Sequence, residues 1–192
     1  FKVSAIGFGC MNLSHAYGRP PAPAEAERVL LAALDAGYTH FDTAALYGVA
    51  ILADGTKPVE VMRGLPGDPA DEQSRYLEAD VFGVRVACIY LPNGNPQPGP
   101  KFDYKLRWMA RLRERAKALL AAEIPTILTG DYNVIPHDHD IWAPKAMADD
   151  ALMQPESRDA YLRLLHDGWT DALAAHNPAG GVWTYWDYQA GA

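Results

Sequence analysis

A chain of 192 residues can form one ordinary domain with a respectable core, and an apolar content of 49% suits a globular protein. No apolar run is long enough to span a membrane, and no basic start leads into an apolar stretch with a small-residue cleavage site, so a cytoplasmic location is expected. The net charge of -7 would repel a polyanion if spread evenly, which counts against nonspecific DNA binding.

In chain order, Val3 to Met11 reads as a short strand and turn, Pro23 to Gly37 as a helix stopped by Gly, and Thr39 to Gly48 as a second strand carrying Asp42 and Tyr47. Residues 84 to 90 form a largely buried strand ended by the Pro92-Asn93-Gly94 turn, which leaves Tyr90 at a strand end beside a loop. Residues 103 to 122 make the clearest helix, with an apolar stripe of Leu106, Met109, Leu112, Ala116, Leu119 and Leu120; Trp108 belongs to the core. Lys101, Lys105, Arg107, Arg111, Arg113, Arg115 and Lys117 cluster there, either as a solvated face or as a phosphate track. A further helix from about Glu156 to His166 starts at Pro155 and ends near Gly168. Cys10 and Cys88 lack zinc-site spacing and read as small buried residues.

The most informative stretch is Ile127 to Pro136. An apolar run ends in Gly130, and Asp131 and Asn133 follow two residues apart, so on a strand end both point to one face. Such a pair can hold a metal-bound water for attack on a phosphodiester. The alternative is an Asx turn after a buried strand. His137 and His139, beside Asp138 and Asp140, read as a solvated loop in preference to a metal cluster.

From Gly48 onward the chain resembles exodeoxyribonuclease III, the AP-endonuclease branch of the endonuclease/exonuclease/phosphatase superfamily. The matching segments are 48–52, Gly64 to Asp68, Asp71 to Tyr76, Tyr90 to Gly94, Gly130 to Pro136 and Trp183 to Tyr188. The resemblance implies an α/β fold, in part a two-sheet sandwich flanked by helices. It implies Mg2+, or alternatively Mn2+, and hydrolysis of duplex DNA at abasic sites and 3' ends. It casts Tyr90, Asp131 and Asn133 as catalytic, with Asp131 and Asn133 on the metal side. Arg75, Asn93, Tyr185 and Trp186 become DNA contacts. For Arg75 an ion pair with Asp71 or Glu72 stays open, for Asn93 a simple turn role, and for Tyr185 and Trp186 core packing.

Residues 1 to 47 resemble instead the first β-α-β unit of an aldo-keto reductase, with Asp42 and Tyr47 as relics of a catalytic pair. The chain therefore reads as a chimera of a reductase-like fragment (1–47) and an exodeoxyribonuclease III-like domain (48–192). The domain has no match to the family's metal-side Asn and Glu or to its closing Asp and His, so weak or absent activity is expected. NADPH is the cofactor only under the alternative that the reductase piece works. A third alternative is a noncatalytic product that self-associates through uncovered sheet edges; no membrane partner is expected.

Overall fold

The computed structural model describes residues 8–9, 22–35, 41–42, 49, 51, 53, 55–141, 144–180 and 182–183. The chain divides into two compact units, one comprising residues 1–90 and 125–130 and the other residues 91–124 and 131–192.

The first unit holds two sheets. Strands β1 (Phe8–Gly9) and β2 (Phe41–Asp42) pair in parallel around the intervening helix α1 (Pro23–Asp35), the order of a β-α-β unit. The remainder of both expected strands, with Cys10, Gly37 and Tyr47, lies outside the described residues, and so does the side chain of Asp42.

The larger sheet has the order β3 (Val59–Arg63), β4 (Tyr76–Val81), β5 (Val84–Tyr90), β6 (Thr126–Asp131). Strands β4 and β5 form a tight antiparallel hairpin in which Tyr76 faces Ile89 and Glu78 faces Ala87. All four side chains share one face and all are buried. Buried Glu78 accepts hydrogen bonds from the Tyr76 hydroxyl and from Arg85 (3.4 Å), which also grips Asp80 at 2.5 and 3.2 Å. The β5 strand was expected to be largely buried, but only Ala87 and Ile89 are fully so and the residues between and around them are half-buried. Cys88 lies on the face opposite Ala87 and Ile89 and is half-buried.

The hairpin turns on Phe82 and Gly83, at φ 50° and 79°, the left-handed pair of a two-residue type I′ connection. Phe82 suits that conformation poorly and the residue is 74% exposed. Phe82→Asn should therefore raise stability by about 0.5–1 kcal/mol, read as a higher urea midpoint at unchanged slope; a lower midpoint would refute the assignment of the turn.

Strand β6 is reached from β5 through a helical crossover. The Arg85 amide donates to Pro125 (2.8 Å) and the Leu91 amide to Asp131 (2.8 Å), so the two strands run in the same direction.

The second unit is built on α2 (Pro100–Ala121) and α3 (Pro155–His166). Helix α2 starts three residues before the expected position because Pro100 suits a first turn, and the Gly99 carbonyl accepts from Phe102 (2.9 Å) and Asp103 (3.0 Å). Its buried residues include Met109, Leu112, Ala116 and Leu119 of the expected stripe, with Trp108 in the core as expected and Phe102 added, while Leu106 and Leu120 are half-buried. Arg113 makes a bidentate pair with Asp167, the residue that ends α3, at 2.6 and 2.8 Å. That guanidinium holds the Asp167 carboxyl below the usual range. The basic cluster is thus not one solvated face. Lys105 is fully buried and Arg113 is committed to Asp167, while Lys101 and Arg107 are exposed. Helix α4 (Ala172–His176) is capped by Asp171, which accepts from the Ala174 amide at 2.9 Å. Among the described residues no helix is long and apolar enough to cross a membrane.

Candidate active site

Strand β6 delivers Asp131 as its last residue, and the chain then turns sharply because Asn133 adopts φ 45°, a left-handed conformation that Asn tolerates better than most residues. The Asx turn read as the alternative is present: the Asn133 amide donates to Asp131 Oδ1 at 2.8 Å. The turn is also part of a larger network. Asn133 Nδ2 donates to Asp131 Oδ2 at 3.1 Å and to the Leu91 carbonyl at 2.8 Å, while Asn93 Nδ2 donates to Asn133 Oδ1 at 3.1 Å. Asn93 Oδ1 in turn accepts from the Asn95 amide (3.1 Å), and Asn95 Oδ1 from the Ala151 amide (3.0 Å).

These bonds divide the labour between the two residues that the sequence places together. Asn133 is nearly buried and spends both Nδ2 hydrogens inside the protein, so it orients its neighbour. Asp131 is exposed, and both of its carboxylate oxygens accept hydrogen bonds from Asn133. An exposed, oriented carboxylate can accept a proton from water, and its hard oxygen suits a divalent cation that keeps several waters. Among the described residues no group of three or more His, Cys, Asp or Glu side chains is placed to hold a metal.

Between them, Tyr132 points the other way and meets Tyr161 edge-on at 5.7 Å. Burial pushes its hydroxyl well above the usual range. Tyr161 donates to Asp171 at 2.6 Å, so the loop is tied through edge-to-face rings to the cap of α4. His137 and His139 stack at 5.1 Å, and the His137 amide donates to Asp140 Oδ2 at 2.9 Å, closing the short 3-10 turn Asp138–Asp140.

In the first unit, Tyr90 ends β5 and is half-buried, with the Arg75 guanidinium 5.1 Å over its ring. Arg75 also donates to the Tyr90 carbonyl (3.2 Å) and to Gln73 (2.5 Å), so Gln73 and Tyr90 position it. Tyr185 and Trp186 lie outside the described residues.

Lys105 is the residue that sequence reasoning missed. It occupies the buried stripe of α2, three and four residues before Trp108 and Met109, and this helical spacing was the available signal. Its Nζ lies 3.1 Å from the Asn93 carbonyl, 2.6 Å from that of Asn133 and 3.3 Å from that of Ala151. Burial lowers its ammonium to about 8, while the Asp150 and Asp131 carboxylates hold it up.

An α/β fold is also what the comparisons with known proteins find. The exodeoxyribonuclease of Bacillus subtilis (strain 168) is 29% identical over 137 residues, covering 71% of this chain and 54% of that protein. The solved structure of an AP endonuclease from Archaeoglobus fulgidus matches 69% of this chain and 51% of its own, with 29% identity and a TM-score of 0.64. That of the 3'-5' exonuclease from Neisseria meningitidis matches 69% and 52%, with 36% identity and a TM-score of 0.65. The chain is thus similar to exodeoxyribonucleases and AP endonucleases over most of its length and shares their α/β fold. It spans about half the length of the curated relatives it matches. At the N-terminus, residues 5–65 match the Aldo/keto reductase family, a stretch that runs past Tyr47. Both resemblances read from the sequence are therefore present.

Proposed function

We propose that the chain hydrolyses phosphodiester bonds of duplex DNA, at abasic sites and 3' ends, with a divalent metal ion, Mg2+ or alternatively Mn2+. The observation that carries this reading is the exposed Asp131 carboxylate, pinned at both oxygens by Asn133 in a chain similar to exodeoxyribonucleases and AP endonucleases. In this reading Asp131 orients a water and takes its proton, Asn133 holds Asp131, and Asn93 holds Asn133. By the resemblance, Tyr90 acts at the phosphate, Arg75 contacts DNA, and Tyr185 and Trp186 receive a base-free sugar. A cation held at Asp131 would supply charge neutralisation for the phosphate. Turnover is expected to be slow, because the sequence has no match to the metal-side Asn and Glu that the resemblance implies.

The test is incision of a labelled duplex with one abasic site, at high protein concentration, with Mg2+ or with EDTA. Slow incision that EDTA and Asp131→Ala both abolish is the expected result. No incision, or incision untouched by Asp131→Ala, would overturn the reading. The match of residues 5–65 and the parallel β1–β2 pair around α1 favour a second reading, NADPH-dependent carbonyl reduction using Asp42 and Tyr47. Quenching of NADPH fluorescence in the same preparation would support it, and an unchanged signal would remove it. A chain that merely self-associates would scatter light as aggregates and show neither activity.

A further inference from the structure

We propose that Lys105 is a positioning residue for DNA hydrolysis, acting through the main chain of the loops that carry Asn93, Asp131 and Asn133; the inference rests on the nuclease reading above. Lys105 is 0% exposed, so it touches neither solvent nor substrate and is not itself catalytic. An ammonium has three hydrogens, and each finds a backbone carbonyl in a different loop: Asn93 after β5, Asn133 after β6 and Ala151 before α3.

The carbonyl of Asn133 reaches Nζ because that residue is left-handed, with φ 45°. The same residue donates through its amide and Nδ2 to Asp131, so Lys105 and the Asp131 carboxylate are joined by one residue. The stem of Lys105 passes against Gly94, where a Cβ would fall 2.7 Å from Lys105 Cδ, 3.1 Å from Ala151 Cβ and 3.3 Å from Phe102 Cδ2. The chain therefore keeps a glycine at the point where a buried cation crosses the first loop. A buried ammonium is costly unless its hydrogens are matched, and an apolar residue of like volume is usually as good or better where only packing matters. Lys105→Met leaves three buried carbonyls without this donor and costs stability in either case, so the positioning role is read from where protection is lost and from kcat.

The experiment compares amide hydrogen exchange in the wild-type chain, Lys105→Met and Lys105→Arg, together with steady-state incision of the abasic duplex. The expected result is loss of protection by about 100-fold at Asn133, Ile135 and Ala151, with the amides of Met109 to Leu119 on α2 unchanged. In the incision assay kcat falls by about 100-fold while KM shifts by less than about 3-fold. Arg keeps the charge but cannot place three hydrogens on one nitrogen, so it fails to rescue, and it decides the matter if Lys105→Met does not fold. Retained loop protection or an unchanged kcat in a folded variant overturns the proposal. If wild type shows no incision, the nuclease reading fails by itself. The exchange data then decide alone whether Lys105 holds the loops.

Discussion

Gly130→Ala is expected to be the most damaging single-methyl change in the sheet, lowering stability by about 4 kcal/mol. Gly130 lies in β6 at φ 126°, a conformation that side chains rarely adopt, and a Cβ there would fall 2.0 Å from the Ile89 carbonyl oxygen and 3.0 Å from its carbon and nitrogen. The obstacle is backbone of the neighbouring strand, so it cannot swing aside as a side chain would. Relief requires β6 to move off β5, which breaks the ladder just before Asp131. Left-handed strain contributes roughly 1–3 kcal/mol and overpacking a similar amount. Gly55→Ala is the internal control: φ is 73° but nothing lies within 4 Å, so only the strain remains there. Urea denaturation of both variants separates the two contributions. A Gly130→Ala protein within about 1 kcal/mol of the Gly55→Ala protein would show that the clash is absent.

Asn133→Ala should cost about 3 kcal/mol. The truncation removes the partner of the Asn93 amide, of the Leu91 carbonyl and of Asp131 Oδ2, and it leaves alanine at φ 45°. Asn133→Gly deletes the same three bonds without the backbone penalty and should recover about 1 kcal/mol of the loss. Asn133→Asp keeps the shape but sets a second carboxylate beside Asp131, so like-charge repulsion replaces a hydrogen bond and the loop should open. Differential denaturation of the three variants checks the order: Gly above Ala is required, and Gly equal to Ala would mean that the positive φ relaxes freely. All three should lose incision together with Asp131→Ala, because residues that act as a unit do not contribute additively.

Local patterns made much of this legible in the sequence. The stripe on α2, the proline that opens α3 and the buried residues of β5 are consequences of periodicity and steric rules that act over a few residues. The Asp131-Asn133 pair was legible for the same reason, since its spacing and its Asx chemistry are local. Other features were not. Lys105 looked like one more cation in a basic cluster, and Arg113 like its neighbour, because the groups that claim them lie 12 to 54 residues away in the chain. Cys88 was expected to be buried, and strand alternation placed it on the other face from Ala87 and Ile89.

What the sequence determined by itself is the kind of element at several places and the identity of the groups that carry charge: a strand, a turn, an acid and an amide at Gly130 to Asn133, with nuclease-like segments after Gly48 and a reductase-like segment before it. What only the tertiary structure decided is which of those groups face outward. Asn133 spends its hydrogens inside, Asp131 keeps an exposed carboxylate, and Lys105 is drawn inside by three carbonyls from three loops. The physical reason is that burial and hydrogen-bond satisfaction depend on groups brought together from distant parts of the chain, and no local rule of spacing contains them.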